Sequence, residues 1–225
     1  MNFLRKIATV LFILLGFSFC FAQESKGEKR FTLRPMVSTI FDSEITLKET
    51  AYYQNNPIGF IKVNNDVKGG FSVGGEFLYH IIPQLQIGSL GYFIFERDIE
   101  NSSSSLKGWA LFISGKYDFL LNNIVNIYGI ARVGYESMRI YANEKEFEDN
   151  LKDQGLTTSY LGAFCMFLGG GLEYNSFSFG GFFAELGYTI QMTDFKYEAS
   201  TIYEKLVVSG NNPYLRLNFG VFVKI

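Results

Sequence analysis

The sequence predicts an all-β fold, an eight-stranded antiparallel up-and-down transmembrane β-barrel with short turns on one rim and long loops on the other. Three observations carry this. Strand-length segments with period-two alternation recur eight times; the connections between them alternate between short and long; and 24 Phe and 14 Tyr in 225 residues, at 48% hydrophobic overall, exceed the aromatic surface of most soluble domains of this size.

The chain opens on Met1 to Ala22, with Arg5 and Lys6 ahead of an apolar run from Ile7 to Phe21 and polarity beginning at Gln23. This reads as a cleavable secretory signal, since about 15 apolar residues fall short of the roughly 20 that a spanning helix needs. Cys20 follows bulky Phe19, where a lipoprotein signal wants a small residue. Cleavage after Ala22 leaves 18 basic against 22 acidic residues and Cys165 as the one thiol, so no internal disulfide forms. Residues 23–30 are expected to be a short periplasmic segment and 31–225 the barrel.

The eight segments lie at about 31–41, 68–80, 85–97, 108–120, 125–138, 162–174, 178–192 and 213–225. Short connections fall at 81–84, 121–124 and 175–177, long polar ones at 42–67, 98–107, 139–161 and 193–212. Sorting of loops by parity is what a membrane barrel shows, and a soluble sandwich has no reason for it. The best helical candidate, 143–151, is charged and suits a solvated turn.

The last segment assigns the faces. Leu215, Leu217, Phe219, Val221, Val223 and Ile225 share one parity and are expected to meet lipid, while Tyr214, Arg216, Asn218, Gly220, Phe222 and Lys224 share the other. In the fourth segment Trp109, Leu111, Ile113, Tyr117 and Phe119 alternate with Ala110, Phe112, Ser114, Lys116 and Asp118. The third segment changes phase between Ile87 and Leu90, and a bulge near Gly88 to Gly91 would reconcile it. Tyr79, Phe119, Tyr135, Tyr174, Tyr188 and Tyr214 near strand ends suit the membrane interfaces.

On the parity away from lipid stand Arg34, Lys116, Arg132, Arg216 and Lys224 against Glu76, Asp118, Glu136, Glu173 and Glu185, five of each sign. Inside a narrow barrel an unpaired charge costs several kcal/mol, so this balance points to a charge network filling the lumen. Glu173 and Glu185 are expected to pair with Arg132 or Arg216. Inward Phe112, Phe167, Phe183 and Phe222 pack among these groups, or would line an apolar path. Glycines such as Gly169-Gly170-Gly171 relieve crowding or make room for an aromatic neighbour; no helix or Lys-Ser/Thr follows them as a phosphate loop requires.

Signal, eight alternating strands, three short turns, four long loops and the terminal strand together resemble the small bacterial outer-membrane β-barrel family, of the OmpA-barrel and OmpX type. The family model departs at the end of the chain, where its members carry an outward Phe read by the barrel-assembly machinery and this chain has Ile225. The resemblance implies periplasmic turns, extracellular loops, residence in the outer membrane of a diderm bacterium, outer-membrane lipid and the assembly machinery as partners, and a monomer. It extends over the barrel and not to a peptidoglycan-binding domain.

No basic stripe suggests nucleic acid, and one His and two Cys leave little for a metal, cofactor or nucleophile pair. No catalytic, cofactor-binding or metal residues are therefore assigned, and the expected role is non-enzymatic: envelope integrity, or contact with an extracellular ligand through loop residues such as Tyr52, Tyr53, Ser102 to Ser105, the acidic stretch 144–153, Tyr197 and Tyr203. A narrow pore or an OmpW-like transporter of small or apolar solutes is the alternative. A lipid-modifying barrel enzyme is a remoter one, because His80 lies beside the turn at Ile81-Ile82-Pro83 and Cys165 suits packing.

Overall fold

A computed structural model describes residues 30–100, 104–122, 124–142, 157–200 and 204–225. The signal sequence, residues 23–29, the helical candidate 143–151, the acidic stretch 144–153, Ser102, Ser103 and Tyr203 lie outside the described residues. Thirteen strands follow in order: β1 (Phe31–Ile40), β2 (Ser43–Tyr53), β3 (Asn56–Val67), β4 (Gly70–Ile82), β5 (Leu85–Asp98), β6 (Ser104–Leu120), β7 (Val125–Ala142), β8 (Thr157–Leu161), β9 (Ala163–Phe177), β10 (Gly180–Gln191), β11 (Phe195–Ser200), β12 (Glu204–Asn211) and β13 (Tyr214–Lys224). Eight of them close an antiparallel barrel in the order β1-β4-β5-β6-β7-β9-β10-β13. The closing pair β1–β13 is finished by two backbone bonds, Phe31 N to Ile225 O at 3.0 Å and Ile225 N to Phe31 O at 2.9 Å. Closure leaves no barrel edge unpaired, which a bilayer core demands because it offers no water to backbone groups.

The short turns have local causes. Between β6 and β7 the Asn122 side chain accepts from the backbone N–H of Ile124 at 2.6 Å and of Val125 at 3.1 Å, so an Asx-type turn starts β7. At the other rim the chain does something the loop composition hid. The segments 42–67 and 193–212 are not irregular loops. They form the hairpins β2–β3 and β11–β12, which join β8 in a five-stranded sheet of order β3-β2-β12-β11-β8. The β2–β3 turn is built on Gln54 and Asn55, both at positive φ (48° and 66°), the two-residue geometry that matches strand twist. The alternation was present in 42–67, with Ile45 and Leu47 against Thr46 and Lys48, but polar residues diluted it.

Around the barrel, outward residues form an apolar belt. Ile113 is 75% exposed and Phe93 67%, and Phe119, Leu111, Phe164 and Leu172 are likewise exposed. In water each such side chain would forgo about 1.5–3 kcal/mol of burial, whereas lipid supplies the missing apolar contact. Leu215 and Phe219 of β13 belong to this belt. Val221 and Val223 share their parity yet are only 5% exposed, set beside Phe182 and Leu33 in the register.

Two expectations about faces change. The β4–β5 register runs without a break from Gln86 to Ile94, so Gly88 to Gly91 hold no bulge; Leu90, Tyr92 and Ile94 simply point inward and are buried. The interior toward the long-loop rim is itself apolar, which removes the contrast that the sequence pattern relied on. The irregularity in β5 falls later, between Ile94 and Arg97. Tyr214 also points inward, at 1% exposure, instead of sitting at a membrane interface.

Candidate functional site: the filled lumen and its cap

Inward side chains stack in layers along the barrel. At the short-turn rim a vestibule of about 600 Å³ is lined by Thr32, His80, Gln86, Asp118, Asn126 and Glu173. Its floor is tied together by Gln86 Nε2 donating to Asp118 at 2.8 Å, and His80 Nε2 lies 2.8 Å from Thr32 Oγ1.

Above it, seven of the ten charges expected in the lumen form one connected network. Arg34 reaches Glu76 at 2.5 Å, Glu185 at 3.4 Å and Glu173 at 3.7 Å; Arg132 reaches Glu76 at 2.8 Å and Glu185 at 2.6 Å; Lys116 reaches Asp118 at 2.7 Å and Glu173 at 3.1 Å. All seven are at most 2% exposed. Three cations face four carboxylates here, and the eighth charge enters through an amide: Arg216 Nε donates to Asn218 Oδ1 at 2.6 Å, and Asn218 Nδ2 donates to Glu185 at 2.5 Å. The eight groups therefore balance. Burying such charges is tolerable only when partners and hydrogen bonds are complete, and Ser114 donating to Glu76 at 2.6 Å and Tyr128 donating to Glu185 at 3.3 Å supply further bonds.

Aromatic rings fill the space between the charges. Arg34 stacks 4.0 Å from the Phe183 centroid, Arg132 4.7 Å from Phe167 and Arg216 3.8 Å from Tyr92. A desolvated guanidinium over a ring gains about 2 kcal/mol. Of the inward phenylalanines, Phe183 and Phe167 thus pack against arginines, Phe112 stacks on Tyr92 at 5.8 Å between centroids, and Phe222 lies beneath Lys224. Glycine makes the packing possible: a Cβ at Gly171 would sit 2.5 Å from the Tyr128 hydroxyl, and one at Gly187 would sit 2.3 Å from the Phe167 ring.

Toward the long-loop rim Glu136 is fully buried and accepts from Tyr214 Oη at 3.0 Å and Cys165 Sγ at 3.5 Å, with Tyr92 Oη 3.1 Å from Tyr214 Oη. Above this the interior becomes apolar: Ile40, Ile94, Leu106 and Met138 pack with Ile45, Val67 and Phe195 at the foot of the five-stranded sheet, and these buried side chains form an apolar cap to the lumen. Arg97 clamps the junction, donating to Asn212 at 2.9 Å, Ser43 at 2.7 Å and the carbonyls of Phe41 and Lys68.

The ten residues singled out in the sequence thus fall into three places. Eight share the network, Glu136 joins the tyrosine layer, and Lys224 sits at the short-turn rim, donating to Asn175 at 3.1 Å. Glu173 pairs with Lys116 and, at longer range, Arg34 instead of Arg132 or Arg216, because β9 places it on the vestibule side of the lumen. Tyr128 was missed although it shares parity with Arg132. Arg97 was missed because the irregularity at Ile94/Arg97 shifts its parity. No group of three or more His, Cys, Asp or Glu fit for a metal occurs among the described residues.

On the outer wall, a second cavity of about 760 Å³ opens where Gly75 and Gly91 lie opposite each other, bounded by Leu33, Phe77, Leu111, Tyr135 and Phe164. It faces the lipid belt.

No protein-family model and no curated protein sequence matches the chain. Among solved structures, the crystal structure of the outer membrane protein OprG from Pseudomonas aeruginosa matches with a TM-score of 0.62 at 15% identity, covering 90% of this chain and 99% of that one. The fold is that of the small outer-membrane barrels. The crystal structure of Neisserial surface protein A aligns with a TM-score of 0.47 at 15% identity, covering 87% of this chain and 97% of that one. In outer-membrane barrels the short turns face the periplasm and the long loops face outward; here the vestibule opens at the short-turn rim and the five-stranded sheet stands at the long-loop rim.

Proposed function

We propose that this protein is a non-conducting, non-enzymatic outer-membrane barrel whose lumen serves stability and whose extracellular sheet is its working surface. The observation that carries the reading is the Arg34–Glu76–Arg132–Glu185 cluster, buried at 0–1% exposure across the lumen and roofed by the apolar cap. A continuous water path would have to part these pairs, and breaking one buried pair costs about 3–5 kcal/mol. A barrel of eight strands has an interior just wide enough for its side chains, and here they occupy it.

The test is single-channel conductance of the refolded protein in a planar bilayer, with heat-modifiable gel mobility checked on the same sample. Silent bilayers from a heat-shifted barrel support the reading; reproducible discrete openings overturn it. A second reading, passage of small apolar solutes, is favoured by the lipid-facing cavity at Gly75 and Gly91. Saturable binding of an apolar probe that is lost in Gly91→Leu would support it.

A further inference from the structure

The extracellular sheet carries a row of lysines whose arrangement is costly unless something answers it. In the register Lys62 of β3 stands directly opposite Lys48 of β2, Lys48 opposite Ser209 of β12, and Ser209 opposite Lys196 of β11. Residues directly opposite across strands share a face. Lys62, Lys48 and Lys196 are therefore in one line on the face turned away from the apolar cap, and all three are exposed. With strands about 4.8 Å apart, the line spans on the order of 15 Å.

Like charges directly opposite destabilise a sheet, and the neighbouring residues do not relieve them. Among the described residues none of the three lysines has a carboxylate within ion-pair distance. The nearest acid on that face, Glu198, is taken by Lys205 at 2.9 Å. Lys48 instead lies 5.4 Å from the Phe60 ring centroid, an exposed cation–π contact worth about 0.5–1 kcal/mol that supplies no counter-charge.

The face is also graded. Toward the barrel, Glu44 stands opposite Asp66 in the same register, two rows below the lysines on the β2 side. On the β2–β3 side acids thus lie nearer the barrel and cations farther out, on the order of 15 Å beyond the start of β2 at about 3.4 Å per residue, while on β11 Lys196 is the second residue of its strand. On the β2–β3 side lipid phosphates at the rim would meet the acids first, so Lys48 and Lys62 are placed for an anion arriving from outside.

We propose that Lys62, Lys48 and Lys196 form a docking row for a linear anionic polysaccharide outside the cell. A repeating sulfated or carboxylated chain laid across the strands presents charges at intervals comparable with the row, and the Phe60 ring beside Lys48 offers a flat apolar surface to a sugar. This rests on the reading that the sheet is the working surface. Conductance tests the closed lumen and leaves the row untouched, so the two can fail separately.

The experiment is binding of fluorescein-labelled dextran sulfate, with uncharged dextran as control, to the folded barrel in nanodiscs of zwitterionic lipid at low and high salt. Binding of dextran sulfate alone, weakened by salt, is expected. Each lysine near an anionic partner contributes about fivefold, so Lys48→Gln/Lys62→Gln/Lys196→Gln weakens binding by roughly a hundredfold. Lys205→Gln, whose charge is already paired, should change it about twofold or less. The three exposed substitutions leave the barrel intact, as heat-modifiable mobility will show. Absence of dextran sulfate binding by the unmodified barrel, equal binding by the triple variant, or tighter association with phosphatidylglycerol vesicles than with dextran sulfate overturns the proposal.

Discussion

Arg132 on β7 and Glu185 on β10 meet at 2.6 Å although β9 lies between their strands, so their bond crosses the curvature of the wall. Such a bond can form only where the intervening strand keeps its inward side low, and β9 does so with Gly169 and Gly171 beside Phe167. Arg132 also bonds Glu76, so its Nε, Nη1 and Nη2 atoms bridge these two carboxylates through four hydrogen bonds.

Arg132→Met should therefore be the most damaging single change in the lumen. It leaves Glu76 and Glu185 with Arg34 as their shared cation, and an uncompensated buried charge costs about 3–5 kcal/mol. Arg216→Met removes a group held by Asn218 and the Tyr92 ring and should cost less. Loss of heat-modifiable mobility on a temperature ladder measures both; equal midpoints for Arg132→Met and the unmodified barrel would remove the charge network from any stabilising role.

The apolar belt predicts a graded response. Phe219 lies nearer the middle of β13 and Leu217 nearer its long-loop end. An arginine at the bilayer midplane costs about 2–4 kcal/mol and less toward the interface. Phe219→Arg should impair insertion into lipid vesicles more than Leu217→Arg, while Asn218→Arg, pointing inward, should fail through crowding and not through lipid. Equal insertion by Phe219→Arg and the unmodified chain would reverse the face assignment.

The barrel was legible because lipid and lumen impose opposite demands on alternate residues, as in β13, where Leu215 and Arg216 already separate the faces. Legibility failed where the demands converge. Leu90 and Tyr92 are apolar and inward because the cap excludes water from the upper lumen, and a sequence pattern cannot tell that interior from lipid. The sheet was hidden for another reason: most of β2 and nearly all of β3 stand in solvent on both faces, so they carry so many Lys, Asn and Glu that their composition reads as loop. The pairings were not legible at all. Parity places Glu173 inside the barrel, but only the stagger between β6, β7 and β9 brings it to Lys116.

Gly171 gives a steric test of the same packing. Its missing side chain is where the Tyr128 hydroxyl lies, and that hydroxyl accepts from Arg34 and donates to Glu185. Gly171→Ala should displace Tyr128 and lower the melting midpoint, whereas Gly75→Ala, where an added Cβ meets open space, should not. If both variants melt with the unmodified barrel, the tyrosine has room to move and the close fit is not required.

Arg97 separates the stability of the sheet from that of the barrel. Its guanidinium ties Ser43 and Phe41 of the ascending chain, Lys68 of the returning chain and Asn212 at the foot of β13, all at the junction. Arg97→Ala should loosen the sheet and expose its hairpins to protease while the barrel keeps its heat-shifted band. Proteolysis at the unmodified rate would mean that the apolar contacts of Ile45, Val67 and Phe195 hold the cap unaided.

Cys165 reports on the plug from within. It is fully buried on the inward face of β9, 3.5 Å from Glu136, beneath the cap and beyond the charge network from the short-turn vestibule. A water-soluble reagent reaching it from either side must pass one of these barriers. In protein lacking residues 1–22, Cys165 should resist a charged methanethiosulfonate reagent until the barrel is heat-denatured, and Arg97→Ala should admit the reagent if the cap is the thinner barrier. Labelling of the folded, unmodified barrel at the rate of the denatured chain would show that water and solutes reach the middle of the lumen. That result would move the protein from the closed-barrel reading to transport.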